Sequence, residues 1–231
     1  MLKYIEIADK MENSIIKNKL TQGEKLPKLA DLMEQYNVSK STIIKALDRL
    51  ERRGLIYQVQ GSGVFVRRPK VDDHVNLIAH NGFTADLLTQ KITSKVLSLK
   101  KITPPKNIYE LFGKEVKEVY EVRRLRYLNG KLLCLEEAYF RADLIPYLNE
   151  QIAKDSIFSY LNQIRLEIGF SDKYISVKKL DQSIAKLLDL EPGDPSLIID
   201  EDYYLTSGEL FDHTRTTYHY DHSKFFIQSP T

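Results

Sequence analysis

The sequence predicts a small helical head closed by a β-hairpin, followed by a larger α+β domain built on an antiparallel sheet. Three observations carry this. Apolar residues recur at helical spacing through the first fifty or so positions, and a glycine-rich stretch, Gln60-Gly61-Ser62-Gly63, then separates two short apolar runs. From about residue 76 the pattern changes to extended runs and short helices, with turn signals at Asn129-Gly130 and Ser207-Gly208. A length of 231 residues with 42% apolar side chains suffices for two packed cores.

In the head, Tyr4, Ala8, Met11 and Ile15 describe an amphipathic first helix, which Gly23 is expected to end. Leu29, Leu32, Met33 and Tyr36 mark a short second helix, opened by Pro27 and closed by Asn37, a residue that tolerates the left-handed conformation. Ser39 caps a third, whose inward face is Ile43, Ala46, Leu47 and Leu50 and which Gly54 terminates. Residues 55–59 and 64–67 read as the two strands of the hairpin. The domain limits implied are 1–68 for the head, 69–75 for a polar, proline-containing linker and 76–231 for the body.

In the body, Thr84 caps a short helix through Lys91, and 96–99 and 119–128 are extended. Residues 132–140 return through Asn129-Gly130. Ser156 and Asp181 cap two helices with inward faces Ile157, Tyr160, Leu161, Ile164 and Ile184, Leu187, Leu188. A second long hairpin spans 197–205 and 210–220.

Charge is unevenly placed. Residues 1–70 hold 14 Lys/Arg against 8 Asp/Glu, and the rest holds 20 against 24, so the head is the basic end and the nucleic-acid candidate. No apolar run approaches the ~18 residues needed to span a bilayer, and the first residues lack a signal-peptide pattern, so a soluble, cytoplasmic protein with no membrane partner is expected. The single cysteine, Cys134, reads as a buried thiol without a chemical role. No metal or cofactor motif is present, and none is expected to be needed.

The outward side of the third helix presents Lys40, Ser41, Thr42 and Lys45 beside the cap Ser39. Hydroxyls and ammonium groups at a helix N-terminus suit phosphate and base-edge contacts in a DNA major groove, and a glycine-rich hairpin tip, Gln60 to Gly63, can lie against the backbone. The ordered series of helices, cap and hairpin resembles the winged helix-turn-helix of the GntR family of bacterial transcription regulators. The resemblance is carried by Gly23, Leu26-Pro27, Leu32, Val38-Ser39, Thr42, Ala46-Leu47, Leu50, Gly54-Leu55-Ile56 and Gln60 through Val66. Where that family usually has Ser-Glu-Arg after Leu-Pro, this chain has Lys28-Leu29-Ala30, and Lys40 and Ile44 stand where arginine is favoured. Arginine's bidentate fork on guanine is thereby lost, so a different operator is expected, with Lys28 and Lys45 on phosphates.

The body resembles the UTRA effector domain of that family's HutC subgroup, a ligand-binding domain with a chorismate-lyase-like fold. The matching residues are Gly82 through Leu87, Arg124-Leu125-Arg126, Leu135 through Tyr139, Asp155 through Phe158 and the strand from Tyr218 to Phe225. The resemblance implies that Thr84, Arg124, Arg126, Glu136, Ser156 and Tyr218 line an effector site. Arg124 and Arg126 share a strand face, as two guanidiniums gripping one phosphate or carboxylate must, and Glu136 on the paired strand suits sugar hydroxyls. A competing reading makes Arg123, Arg124 and Arg126 a solvated charge ladder with Glu118, Glu121, Glu136 and Glu137.

The function implied is a DNA-binding repressor, a homodimer on an operator, released by a small anionic effector with a phosphorylated sugar as first choice. Alternatives are a carboxylate effector, a degenerate pocket, or a lyase-like enzyme using His213, His219 and His222. The enzyme reading is disfavoured because no nucleophile–base pairing or metal motif accompanies those histidines, which read as surface residues.

Overall fold

The computed structural model describes residues 3–67, 74–77 and 91–227. The chain divides into two compact units, one comprising residues 1–72 with 226–231 and the other residues 73–225.

The first unit holds α1 (Lys3–Lys17), α2 (Leu29–Tyr36), α3 (Lys40–Arg52) and a hairpin of β1 (Ile56–Val59) and β2 (Gly63–Val66). Its core joins Ile7, Met11 and Ile15 of α1 to Leu32 of α2, Ile43, Leu47 and Leu50 of α3, and Ile56 and Val66 of the hairpin. Asn37 closes α2 in the left-handed conformation at φ 48°, and Ser39 caps α3 by accepting the Thr42 N–H, as their residue types lead one to expect. Gly23 does not end α1. The helix stops at Lys17, with Lys19 left-handed, because the chain must already turn towards the hairpin. The Gly23 N–H instead donates to Val66 O at 2.8 Å and the Leu26 N–H to Val64 O at 2.8 Å, so residues 23–26 brace the hairpin as a third edge. Arg53, at the end of α3, reaches back to the buried Glu12 of α1 at 2.6 Å and locks the two helices.

The second unit contains a two-residue strand, β3 (Val75–Asn76), and a six-stranded antiparallel sheet. The sheet strands are β4 (Ile92–Ile102), β5 (Val119–Leu128), β6 (Lys131–Arg141), β7 (Ile168–Lys179), β8 (Pro195–Leu205) and β9 (Leu210–Tyr218), in spatial order β4-β5-β6-β9-β8-β7. Asn129 and Gly130 turn β5 into β6 at φ 52° and 84°, the paired positive values that a two-residue hairpin requires. The helices are α4 (Lys106–Phe112), α5 (Glu150–Lys154), α6 (Ile157–Gln163) and α7 (Gln182–Leu188). Ser156 caps α6 and Asp181 caps α7.

Cross-strand register fixes which side chains share a face. On one face, here the inner face, Tyr120, Val122, Phe140, Tyr203 and Phe211 pack with Ala153, Ile157 and Leu161 of α5 and α6. On the other, Leu125 and Leu135 pack under Ala185 and Leu188 of α7. The twelve-residue β7, with α4 and α5, lies outside the sequence expectation. Its apolar residues Phe170, Tyr174, Ile175 and Val177 are exposed at the sheet's edge, which leaves no clean alternation to read. The expected helix from Thr84 to Lys91 and most of the expected linker lie outside the described residues.

Candidate functional site

In the head, α3 turns Lys40, Ser41, Ile44, Lys45 and Asp48 outwards, all exposed. Ser39 Oγ lies 3.0 Å from both Ser41 Oγ and Thr42 Oγ1, so three hydroxyls gather at the helix start. Lys28 is exposed at the start of α2, its N–H donating to Asp31 Oδ2 at 3.2 Å. At the hairpin tip, Gln60, Gly61 and Ser62 are exposed, and Gly63 is half-buried at φ 128°. The positive φ of Gly63 disfavours any side chain there, and a Cβ, 2.7 Å from Lys25 Cε, would also push that lysine's flexible end aside.

In the body, one face of the sheet supplies a pocket floor that can be derived strand by strand. Arg124 pairs with Glu136, Glu136 with Thr216, and Thr216 with Ile199, a row crossing β5, β6, β9 and β8. The neighbouring row runs Val122, Ala138, Thr214, Glu201, and Arg126 lies beside Cys134 and Tyr218 in the row on the other side. Ser156, Ile157 and Phe158 at the start of α6 complete a pocket of about 510 Å³ of empty space, mouth included. Arg124, Arg126, Glu136, Ser156 and Tyr218 all line it, and Thr84 lies outside the described residues.

The pocket's electrostatics follow from burial. Arg124 donates through Nε to Glu136 Oε1 at 2.9 Å, through Nη2 to the same carboxylate, and through Nη1 to Ala153 O at 2.6 Å. Burial alone would raise the Glu136 pKa, but Arg124 and Arg126 outweigh it and hold the carboxyl below its usual value. Burial, followed by the like charge of Arg124, pulls the Arg126 guanidinium down. Burial pushes the Glu201 carboxyl up, opposed by Lys173 at 3.1 Å and the Ser171 hydroxyl at 2.6 Å. Asp212 is pushed well up, by burial first and then by Glu136 and Glu201; its Oδ1 accepts from Thr214 Oγ1 at 2.8 Å. Two guanidiniums, carboxylates and threonine hydroxyls thus face one cavity, a donor and acceptor set fitted to a small polar, charged molecule.

The solvated ladder exists, but on the opposite face. Arg123 binds Glu137 at 2.9 Å, and Arg215, beside Glu137, binds Asp200 at 2.6 Å. Arg124 and Glu136 do not belong to it. Glu118 pairs with Lys101, and Glu121 accepts from the Tyr139 hydroxyl.

The histidines need correction, since His219 is a buried residue at 5% exposure whose ring stacks on His222 at 3.8 Å. The chain turns inward after Tyr218, where the His219 N–H donates to Leu133 O. His213 sits apart, beside Asp202 at 2.7 Å. Among the described residues no group of three His, Cys, Asp or Glu side chains is placed to hold a metal ion. Cys134 is buried, and burial raises its thiol pKa.

Glu201, Tyr203, Thr214 and Thr216 were not anticipated as lining residues. The signal for two of them was present: Thr214, Thr216 and Tyr218 fall at i, i+2 and i+4 on one strand, so choosing Tyr218 selects them as well.

Comparison with known proteins agrees with both units. Residues 3–66 match the gntR family of bacterial regulatory proteins, and residues 88–224 match the UTRA domain. The chain is 43% identical to the HTH-type transcriptional regulator YydK of Bacillus subtilis (strain 168), over 99% of this chain and 98% of that one. It is 30% identical to the B. subtilis regulator GmuR over 99% and 98%. Identity is 25% to MngR, the mannosyl-D-glycerate transport/metabolism system repressor of Escherichia coli (strain K12), over 97% and 94%. The crystal structure of YydK superposes with a TM-score of 0.82 at 41% identity over the whole of both chains. The chain is therefore a member of the GntR family of bacterial transcription regulators, with a UTRA domain as its second unit, and not an enzyme.

Proposed function

We propose that this regulator is a homodimeric repressor whose operator affinity is set by a small anionic effector, a phosphorylated sugar, bound in the sheet pocket. The observation that supports the effector reading is the convergence of Arg124, Arg126, Glu136, Ser156 and Tyr218 on one cavity. A phosphate gains charge-assisted hydrogen bonds at the arginine end, while Glu136, Glu201, Thr214 and Thr216 offer partners for sugar hydroxyls. MngR, by its name the repressor of a mannosyl-D-glycerate system, supports a sugar-derived effector.

In the head, Lys40, Ser41, Thr42 and Lys45, with the cap Ser39, contact the operator's major groove. Lys28 and the tip Gln60 to Gly63 hold its backbone. Two heads about 34 Å apart suit a pseudo-palindromic site. Self-association has a natural surface in β7, an edge strand with Phe170, Tyr174, Ile175 and Val177 exposed. The ligand acts as an inducer by binding the DNA-incompetent arrangement more tightly, since only differential affinity moves an equilibrium.

The test is fluorescence anisotropy of the full chain on DNA selected from a random pool, challenged with sugar phosphates, the matching free sugars and small carboxylates. Release by a phosphorylated sugar, lost in Arg126→Ala with DNA binding intact, is the expected result. Release by a carboxylate or a free sugar alone overturns the phosphate assignment.

A further inference from the structure

Within α3 the outward stripe of Lys40, Ser41, Ile44, Lys45 and Asp48 contains a single large apolar side chain. Ile44 is 41% exposed, while Ile43, Ala46, Leu47 and Leu50 are buried in the head core. It lies four positions after Lys40 and four before Asp48, so it stands mid-stripe, one turn in from the capped N-terminus. The side chain is β-branched, which restricts χ1 in a helix and holds its methyl groups in one place. Lys40 before it and Lys45 beside it supply positive charge along the stripe, and the Ser39, Ser41 and Thr42 hydroxyls lie at the helix start. On the reading of α3 as the recognition helix, those groups would take phosphates and polar base edges and leave Ile44 to the floor of the groove. The apolar group that base pairs present there is the thymine C5-methyl.

We propose that Ile44 is a specificity-determining residue that reads thymine by packing against its 5-methyl group. This rests on the reading of α3 as the recognition helix. The contact removes one methyl and the end of the isoleucine from water, a gain worth about fourfold in affinity per methyl.

The experiment selects DNA from a random pool with the full chain and then replaces each thymine of the selected site, in turn, by deoxyuridine. That change deletes the methyl and keeps O4. Binding is measured by anisotropy for the wild type and for Ile44→Ala, whose unchanged melting temperature confirms an intact fold. The expected result is a loss of about fourfold at one or two thymines for the wild type, and no distinction between thymine and deoxyuridine at those positions for Ile44→Ala. Indifference of the wild type to every deoxyuridine, or an unchanged penalty in Ile44→Ala, overturns the assignment while leaving α3 as the DNA-reading helix. Failure to select any sequence overturns the helix assignment and the Ile44 contact together.

Discussion

Arg123 and Arg124 are adjacent in the chain, and each meets a glutamate across the same hairpin, yet they belong to different environments. Arg124 and Glu136 lie on the inner face at 5% and 7% side-chain exposure, under α5 and α6. Arg123 and Glu137 lie on the opposite face at 35% and 27%, in a row that continues to Arg215 and Asp200. Strand periodicity alone separates them. The inner pair is deprived of water and costs desolvation energy unless fully satisfied, whereas the outer pair is screened and contributes little. Charge buried on a sheet face has to be held there by geometry, and that geometry can be put to use in recognising a ligand.

The largest expected effect that tests this contrast is Arg124→Ala, which leaves the Glu136 carboxylate buried without its principal partner. Denaturant unfolding should show a loss of about 3–5 kcal/mol in the second unit. If the loss is no larger than that of an exposed pair, the inner face is wetter than its burial indicates. Replacing both partners, Arg124→Met with Glu136→Met, should recover part of that stability, because the paired charges leave together while the buried Arg126 loses the Glu136 countercharge. The same double variant should lose the effector response, separating the pair's cost from its use.

Asp212→Asn should stabilise the second unit by about 1 kcal/mol, roughly 2–4 °C for a chain of this size. The folded-state pKa of Asp212 lies above its ordinary value, so the folded chain keeps a proton that the unfolded chain releases. Stability from that source is complete below the ordinary carboxylate pKa and is lost as pH rises through the folded value. The asparagine carries no such loss, so its advantage should grow as pH rises above about 4, the ordinary carboxylate value; a constant or shrinking advantage in thermal melts contradicts the assignment.

The smallest effect belongs to the outer face. Arg123→Ala should cost less than about 1 kcal/mol, a difference that 1 M salt should erase.

The head was more legible than the pocket, for a reason visible in particular residues. Ser39, Asn37 and the inward set Ile43, Ala46, Leu47 and Leu50 lie within fifteen positions of one another, so helix periodicity and capping chemistry specify them locally. The pocket draws on β5, β6, β8, β9 and α6, elements spread over almost a hundred residues. Arg124 and Arg126 could be placed on one face by strand alternation, but the Asn129-Gly130 turn by itself would set Glu136 opposite Arg123; a bulge between Arg126 and Tyr127 shifts the register by one and brings Glu136 to Arg124. Glu201 was not legible as a lining residue, since the β8–β9 hairpin that sets it opposite Thr214 reaches the pocket only because β9 pairs with β6.

The sequence by itself determined the local elements: three head helices, the caps Asn37 and Ser39, a glycine-tipped hairpin, two sheet hairpins and the strand face shared by Arg124 and Arg126. These depend on interactions a few residues apart, whose energetics are the same wherever the segment lies. Only the tertiary structure decided strand order, the edge position of β7, the burial of His219, and which of two neighbouring arginine–glutamate pairs is kept from water. Those outcomes turn on which face each helix covers, and contacts between distant segments have no counterpart in local pattern.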